Sequence, residues 1–470
     1  MITIIGGGPA GLAAALAAGE SGSKVLLIDS APRLGGQYWR HLPENGAWGK
    51  QEAIRHDFEK GNQLRQRVAQ SVNIEVLSNA HVWRASPHDE HITLHLLVGG
   101  VGRTIDVKNL ILSTGAYDRS LPFPGWDIPG VMTPGGAQGL LKGNYVLPGK
   151  RIVVAGTGPF LLPVAAGLAE AGAEIVALLD ANRLTRWIPK FHIVLANRAK
   201  LREGLGYFQT LAKYKIRQQR GSAVIQANAG SDGTLESVTI ATIGRNFRAK
   251  AQEIIKCDSL AVGWGFTADL SLASNLNLKQ DVLEEDKSVF VTVDEMQRTS
   301  MQNVFAAGEI TGIGGHQLSL TEGKIAGFAA AAQFGHLTDV ELKVKLEPLL
   351  AQRKKERKFA SALISSYPVK PGWQEWLAPD TCICRCEEVT MEQIQDSITE
   401  LGATDARTVK LFTRTGMGMC QGRICGRAVI DIVGRESGIN PTIQDYISAS
   451  SRPIVTPLPL GILEHAPHIE

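Results

Sequence analysis

The strongest constraint on the fold is a strand, a glycine turn and a helix at the start of the chain. The apolar run Met1–Ile5 leads directly into Gly6, Gly8 and Gly11, and an Ala/Leu-rich segment follows. In this pattern the first glycine permits the turn, the second lets the backbone approach a pyrophosphate, and the third lets the helix pack on the strand. The pattern predicts a dinucleotide at the edge of a parallel sheet, and a structural glycine-rich turn is the alternative.

The next strand supports the nucleotide interpretation. Lys24–Ile28 is apolar after its first residue and ends at Asp29. In a dinucleotide-binding unit a carboxylate at this position accepts hydrogen bonds from the ribose hydroxyls. We therefore expect an adenine dinucleotide, although the sequence leaves open whether this site holds FAD, ATP or NAD.

A second unit of the same kind begins at residue 151. The strand Arg151–Ala155 precedes Gly156 and Gly158, and a later strand ends at Asp180. Leu161 stands where such turns have a small third residue, and its side chain would hold the helix further from the strand. Two outcomes stay open: an NAD(P)H site, for which Asp180 would favour NAD over NADP, or a unit without a redox nucleotide.

Cysteines are concentrated near the C-terminus, where five of the six lie between residues 382 and 425. A chain that needed disulfides would spread cysteines along its length, whereas two tight clusters indicate thiolates around one metal centre. The spacing leaves iron–sulfur and zinc nearly balanced, because it matches neither common ferredoxins nor common zinc sites. The expected ligands are Cys384, Cys386, Cys420 and Cys425, with Cys382 as a spare and Cys257 as a core thiol.

The first nucleotide unit resembles the flavoproteins that contain two dinucleotide-binding domains. The segments Leu34–Gln37, Leu110–Gly115 and Asn303–Glu309 resemble further FAD-contacting motifs of that family, although the family usually has Glu at Asp29 and Asp at Glu309. Residues 1–256 contain no cysteine, so a disulfide-reductase dithiol is excluded there. The FAD contacts that the resemblance implies are Gly6, Gly8, Pro9, Ala10, Gly11, Asp29, Gly36, Gln37, Thr114, Gly115, Gly308 and Glu309.

The cysteine block resembles the [2Fe–2S] domain of bacterioferritin-associated ferredoxin. It is closer still to the copy fused to a flavoprotein in the alpha or A-type subunits of hetero-oligomeric amine dehydrogenases, such as opine oxidase, hydrogen cyanide synthase and the hydroxyproline and proline dehydrogenases. The resemblance extends from the flavin motifs to the Pro-rich segment Arg452–Leu460. It implies a partner chain, amine-oxidase-like and FAD-binding, that oxidises the substrate, FMN at the interface between subunits, and in some assemblies a small third subunit.

The expected fold class is α/β: a Rossmann-like flavoprotein with FAD-type and NAD-type domains and a small helical [2Fe–2S] domain. The expected boundaries are 1–148 and 264–338 for the FAD domain, 149–263 for the NAD-type domain, 339–380 for a helical linker, 381–440 for the [2Fe–2S] domain and 441–470 for a Pro-rich tail.

These observations predict an electron-transfer subunit of an amine dehydrogenase acting on opines or on imino or amino acids. The alternatives are a standalone NAD(P)H-dependent reductase and a docking or iron-sensing module. No catalytic residue is assigned, since His316, Arg40 and His41, the candidates near the flavin segments, are more often structural.

Charge and hydropathy narrow the partners and the location. The net charge is only +3, and the basic run 353–358 includes an acid and indicates a solvated helix face rather than a nucleic-acid patch. No apolar stretch is long enough to span a membrane, and the chain begins with a strand, so we expect a cytoplasmic protein.

Overall fold

A computed structural model describes residues 1–42, 58–449 and 451–464. Its strands are β1 Ile2–Ile5, β2 Val25–Ile28, β3 Ile74–Leu77, β4 Ala80–Pro87, β5 Ile92–Val98, β6 Val101–Val107, β7 Leu110–Leu112, β8 Ala116–Asp118, β9 Val131–Met132, β10 Arg151–Gly156, β11 Glu174–Asp180, β12 Gln218–Arg220, β13 Ser222–Ala229, β14 Leu235–Ile243, β15 Ala249–Lys256, β16 Ser259–Gly263, β17 Phe266–Ala268, β18 Gln280–Val282, β19 Val289–Val291, β20 Val304–Ala306, β21 Cys382–Cys384 and β22 Val389–Thr390.

Helices connect and cover these strands. They are α1 Pro9–Glu20, α2 Phe58–Gln70, α3 Pro134–Asn144, α4 Leu161–Glu170, α5 Phe191–Ala196, α6 Arg198–Lys213, α7 Ser271–Asn275, α8 His316–Gln333, α9 Asp339–Ser366, α10 Met391–Thr399, α11 Ala406–Thr413, α12 Gly426–Ser437, α13 Ile443–Ser448 and α14 Leu460–Glu464, with 3₁₀ turns at Leu184–Lys190, Glu309–Thr311 and Pro371–Trp376.

The first unit is a parallel five-stranded sheet in the order β20-β7-β1-β2-β3. Every residue of β1 is buried, as its apolar sequence requires, and the antiparallel sheet β4-β5-β6 shares a hydrophobic core with this sheet. Helix α8 packs on α1 through glycines, because a Cβ at Gly323 would lie 2.1 Å from the Ala10 carbonyl oxygen and one at Gly327 2.4 Å from that of Ala14. The small residues of α1 and α8 therefore permit a contact between backbones.

The second unit is a five-stranded sheet in the order β12-β11-β10-β16-β9, with the antiparallel sheet β13-β14-β15 packed against it. Strands β8 and β17 pair antiparallel where the chain crosses between the units, with Tyr117 opposite Thr267. Because β9 pairs with β16, the hydrogen bonding of the second unit begins upstream of the boundary expected at residue 148.

The cysteine-bearing domain is small and mostly helical. Thr390 caps α10 in a reciprocal arrangement with Gln393, as its position before the helix leads one to expect. The buried residues Ile383 and Ile432 belong to the same hydrophobic cluster as Val153 of the second sheet. The domain therefore shares its core with the second unit.

The segment expected as a linker is packed rather than extended between domains. The indole N–H of Trp376 donates to the Phe247 carbonyl oxygen at 3.0 Å, and Trp373 is buried. A Cβ at Gly372 would lie 1.9 Å from the Asn246 carbonyl oxygen. This close approach requires glycine and fixes the segment to the second unit. No helix in the described part of the chain is long and apolar enough to cross a bilayer.

Helix α9 is held to the first unit by a buried carboxylate. Glu322 is fully buried, and its Oε2 accepts from the Gly308 N–H at 3.2 Å and from the Thr311 hydroxyl at 2.8 Å. Its Oε1 accepts from Arg353 Nε at 3.2 Å and Arg357 Nε at 2.9 Å. Two arginines of the basic run therefore face a buried acid, which corrects the interpretation of that run as a solvated face only.

Substitution Glu322→Ala should destabilise the chain strongly, because it leaves two partly buried guanidinium groups without their carboxylate. We expect the free energy of unfolding, measured by urea denaturation, to fall by roughly 3 kcal/mol or more. The control is Glu20→Ala, which removes the half-exposed pair with Arg67 and should cost less than about 1 kcal/mol. Equal losses in the two variants would contradict the role of Glu322 as the buried carboxylate that holds α9 to the first unit.

Candidate functional site

A cleft of about 2670 Å³ runs between the two sheet units. Most of the residues expected to contact FAD lie on its wall: Gly6, Gly8, Pro9, Ala10, Asp29, Gly36, Gln37, Thr114, Gly115 and Glu309. Gly11 and Gly308 lie behind the wall, where they permit close packing. A Cβ at Gly11 would lie 1.7 Å from the Gly6 carbonyl oxygen, and one at Gly308 would lie 2.8 Å from the Ala10 Cβ.

Two glycine turns lie against each other at the floor of this cleft. Gly35 donates its N–H to the Gly7 carbonyl oxygen at 2.8 Å. Gly36 has a φ of +59°, and a Cβ there would lie 2.8 Å from the Cα of Gly8. The site is thus a backbone cradle next to the N-terminus of α1, which is the arrangement that a pyrophosphate requires. These residues fit a bound dinucleotide.

Asp29 follows β2 at the edge of the cradle. Its Oδ2 accepts from the Gly7 N–H, and its Oδ1 accepts from the Ala31 N–H at 2.7 Å. Burial raises the pKa of this carboxyl, and the two backbone hydrogen bonds oppose that rise. Because a carboxylate has about four acceptor positions, it can hold the turn and still accept from a ribose hydroxyl.

Glu309 lies at the other wall of the cleft, near the N-terminus of α8. Its Oε1 accepts from the Gly315 N–H at 2.7 Å, and burial raises the pKa of its carboxyl. The longer side chain thus reaches a helix N-terminus, which is electrostatically favourable for an acid. His316, the first residue of α8, stacks on Tyr38 with ring centroids 3.9 Å apart, and both residues line the cleft.

The expected metal ligands converge at another part of the same cleft. Cys386 and Cys420 line it, and all six cysteines, which lie within the described ranges, are free thiols. The thiol of Cys425 hydrogen-bonds with the sulfurs of Cys384 and Cys420, while Cys386 hydrogen-bonds with Cys420. Strand β21 and the turn after it supply one cysteine pair, and the loop before α12 supplies the other.

The four expected ligands differ in acidity: hydrogen bonds with Cys384 and Cys420 raise the pKa of Cys425, and burial raises the pKa of Cys386. The hydrogen bond from Cys425 lowers the pKa of Cys384 to about 6 and that of Cys420 to about 5, and backbone N–H groups add to both effects. Burial raises the pKa of Cys382 to about 11, and burial also raises the pKa of Cys257 to about 12. Thiolate is the form that binds metal, so Cys384 and Cys420 are the two expected ligands whose surroundings favour that form.

Glycines create the space around these sulfurs. The Gly416 N–H donates to the Cys384 sulfur at 3.4 Å, and a Cβ at Gly418 would lie 2.3 Å from the Cys386 Cβ. Among the described residues no three His, Cys, Asp or Glu side chains surround one point as a single ion requires. A two-iron cluster takes two thiolates at each metal, and the two cysteine pairs supply them, so the residues present fit [2Fe–2S].

The second glycine turn opens into the same cleft but differs at its third position. Leu161 is buried among the apolar residues of α4, whereas the equivalent Gly11 lets α1 touch its strand. Asn182, which follows Asp180, donates to the Thr157 hydroxyl at 2.6 Å and to the Pro368 carbonyl oxygen at 3.2 Å. Burial raises the pKa of Asp180 to about 6. The segment after α9 therefore reaches this turn, a contact that no sequence pattern predicts.

Two arginines that the sequence analysis did not single out join the loop of residues 420–425, which we call the cysteine loop, to the first unit. Arg423 lies between two expected ligands and donates to the Ser271 hydroxyl at 3.0 Å. Arg452 donates to the Gln421 carbonyl oxygen at 2.8 Å. The sequence could have indicated Arg423, because it lies between Cys420 and Cys425 and an arginine at that position has its charge near the expected ligands.

Comparison with known proteins gives two family matches. Residues 1–335 match the family model described as "Pyridine nucleotide-disulphide oxidoreductase", and residues 382–435 match the "BFD-like [2Fe-2S] binding domain". Together they confirm the expected fold class and indicate FAD in the first part and a [2Fe–2S] cluster in the second.

Similar proteins extend over nearly the whole chain. The A-type subunit of opine oxidase from Rhizobium meliloti is 30% identical over 99% of this chain and 88% of its own length. Hydrogen cyanide synthase subunit HcnB of Pseudomonas protegens is 33% identical over 90% of this chain and 89% of its own. The L-proline dehydrogenase structure from P. horikoshii has a TM-score of 0.69 at 20% identity, covering 98% of this chain and 78% of that one, which shows a shared fold.

Substitution Gly36→Ala should abolish dinucleotide binding while leaving the sheets intact. The added Cβ would meet Gly8, and the left-handed φ of Gly36 disfavours any side chain. We expect the purified variant to lack flavin absorbance. The control is Gly206→Ala in α6, where an added Cβ meets nothing within 4 Å. Full flavin content in Gly36→Ala would refute the cradle.

The cysteines should separate into ligands and spare. We expect Cys384→Ser to lose iron and acid-labile sulfide, because it removes the thiolate that receives the Gly416 N–H. Cys382→Ser should keep both at the wild-type level, because Cys382 is outside the expected ligand set and serine keeps the main-chain carbonyl oxygen that accepts from Trp126. Metal and sulfide analysis with visible circular dichroism would measure both. Loss of the cluster in Cys382→Ser would overturn the ligand set.

Proposed function

The chain belongs to the pyridine nucleotide-disulphide oxidoreductase family and to the group that contains HcnB and the A-type chain of opine oxidase, and from this premise we propose that it is the electron-transfer subunit of a hetero-oligomeric amine dehydrogenase. The relatives are subunits of multi-subunit enzymes by name, so a partner chain is expected. The proposed partner is an amine-oxidase-like, FAD-binding subunit that oxidises a C–N bond of an opine or of an imino or amino acid.

One observation carries the proposal: the glycine cradle and the cysteines Cys386 and Cys420 lie on the wall of one cleft. When bound, FAD accepts two electrons and a [2Fe–2S] cluster passes electrons on one at a time. The first 256 residues contain no cysteine, so a dithiol is not the outlet beside the cradle. The thiolates therefore offer the exit for the electrons, and FMN at the interface with the partner is the proposed entry.

The chain's own residues have distinct proposed roles. Gly6, Gly8 and Gly36 hold the dinucleotide by backbone, while Asp29 accepts from its ribose. Thr114 and Gly115 hold the wall where the chain crosses between units, and Glu309 fixes the start of α8. Cys384, Cys386, Cys420 and Cys425 hold the cluster, which the Gly416 N–H stabilises through a hydrogen bond to sulfur.

A standalone NAD(P)H-dependent reductase is the second candidate, favoured by one feature. Gly156 and Gly158 of the second turn have positive φ values of +129° and +99°, as a nucleotide-binding turn requires. Against it, Leu161 fills the position where the helix should approach the strand. The two candidates differ in which reductant reaches the flavin.

Rapid mixing separates these two candidates. We expect NADH to leave the flavin absorbance of the purified chain unchanged, and an opine or hydroxyproline to bleach it once the partner chain is present. Rapid bleaching by NADH alone would instead establish the reductase. Without the partner, the amine should have no effect, which serves as the control.

A docking or iron-sensing role for the cysteine domain makes a different prediction for Cys420→Ser. On our proposal the variant still assembles with its partner, because the domain is held by a shared hydrophobic core, but it no longer reduces an external acceptor. Loss of assembly with the partner would instead support the docking role.

A further inference from the structure

Arg423 lies between Cys420 and Cys425, two of the proposed ligands. Its Nη1 donates to the Cys420 carbonyl oxygen at 3.2 Å and to the Gln421 side-chain oxygen at 3.0 Å. Its Nη2 donates to the Ser271 hydroxyl at 3.0 Å and to the Val455 carbonyl oxygen. One guanidinium therefore binds the cysteine loop, the first unit and the C-terminal segment together.

Hydrogen bonds connect Ser271 with Thr114 and Gly115, which form the part of the cleft expected to contact FAD and which we call the flavin wall. The Ser271 N–H donates to Asp269 Oδ1 at 3.2 Å, and the Asp269 N–H donates to the Gly115 carbonyl oxygen at 3.0 Å. The Thr114 hydroxyl donates to the Asp269 carbonyl oxygen at 2.7 Å. A short series of hydrogen bonds thus connects the cysteine loop with the segment expected to contact FAD.

Tyr117, two residues beyond Gly115, lines the same cleft as Cys420 and Arg423. Burial raises the pKa of its phenol to about 12, and charges on Arg452, Asp269, Arg423 and Cys420 also act on it. The crossing strand β8 and the cysteine loop therefore both contribute side chains to this cleft.

The C-terminal segment closes the arrangement from the other side. Asn275 of α7 donates to the Arg452 carbonyl oxygen at 2.6 Å, and the Val455 N–H donates to the Trp83 carbonyl oxygen at 2.8 Å. Arg452 in turn donates to the Gln421 carbonyl oxygen. The segment is tied to the first unit at both points, so it gives Arg423 a fixed frame.

We propose that Arg423 is a positioning residue that holds the cluster loop at the flavin wall and raises the reduction potential of the cluster. The inference rests on the proposed function, since it concerns the same cysteines. A cluster gains one negative charge on reduction, so a nearby fixed cation stabilises its reduced form. The guanidinium supplies both effects because its planar fork bonds several acceptors at once, in a fixed geometry that an ammonium lacks.

Three variants of the full-length chain separate charge from geometry. Arg423→Gln removes the cation and the fork, Arg423→Lys keeps the cation only, and Ser271→Ala removes only the acceptor in the first unit. The readouts are iron and sulfide content, the electron paramagnetic resonance signal of the reduced cluster, its potential by redox titration, and the rate of cluster reduction after photoreduction of the flavin.

We expect Arg423→Gln to bind the cluster but to show a lower potential and a reduction rate at least about tenfold slower, as loss of a charge-assisted hydrogen bond implies. Arg423→Lys should recover most of the potential and little of the rate. Ser271→Ala should slow the rate and leave the potential unchanged, and it keeps the test available where Arg423→Gln fails to load the cluster.

Arg427 provides a matched control one turn further along the chain, in α12. It also joins the domain to the first unit, through the carbonyl oxygens of Lys287 at 2.7 Å and Asp286 at 2.6 Å, but these contacts do not involve the loop that carries Cys420. The charge of Arg427 is paired with Asp431, whose Oδ2 lies 3.5 Å from its Nε, so Arg427→Gln should change the potential less than Arg423→Gln and leave the rate unchanged. An equal effect in Arg427→Gln, a wild-type potential and rate in Arg423→Gln, or a wild-type rate in Ser271→Ala would overturn the inference.

The positioning role and the proposed function fail in distinguishable ways. If the wild-type chain binds no two-iron cluster, by metal content and paramagnetic signal, the proposed function itself fails. If the wild type binds the cluster and the Arg423 variants match it in potential and rate, only the positioning role fails.

Discussion

The arrangement of the molecule depends on one shared hydrophobic core. Ile383 and Ile432 of the cysteine domain are buried in the same cluster as Val153 and Leu179 of the second sheet. A domain of this size buries too little surface to be strongly stable alone, so the neighbouring sheet must complete its core. The Trp126 indole N–H, which donates to the Cys382 carbonyl oxygen at 2.5 Å, fixes the contact directly at the cysteine strand. The positions of the thiolates relative to the flavin cradle therefore follow from packing.

Features that depend on local backbone chemistry could be predicted from the sequence. Gly8 and Gly36 are expected where the backbone closely approaches a ligand. In the structure they lie against each other at the cleft, and this spacing leaves no room for a side chain at Gly36. Thr390 is expected as a helix cap because its hydroxyl serves the next turn of its own chain, whatever packs outside it. The cysteine pairs are recognisable for a related reason, since thiolate chemistry needs particular residue types at short spacing.

Features that depend on distant partners could not be predicted. Pro371 and Gly372 favour a linker by local pattern, yet the tryptophans beside them are buried against the second unit, which no local pattern encodes. The charged neighbours of Arg357 indicate a solvated face, but its partner Glu322 lies on another helix. The pairing of β9 with β16 likewise extends the second unit upstream of residue 148, where sequence motifs alone place its start.

The shared core also bears on why a second nucleotide-type unit is present when Leu161 weakens its turn. Leu161 prevents the close packing of α4 on its strand that nicotinamide binding favours. A unit that served only to bind a nicotinamide would therefore lose its role. Its sheet, however, supplies Val153 and Leu179 to the core beneath the cysteine domain, and Asn182 holds the segment after α9 through Pro368. The unit therefore has a structural duty that is independent of any nucleotide. Substitutions that abolish nucleotide binding at its glycine turn leave this structural role intact. Substitutions in its sheet would instead disturb the shared core and displace the thiolates from the cleft.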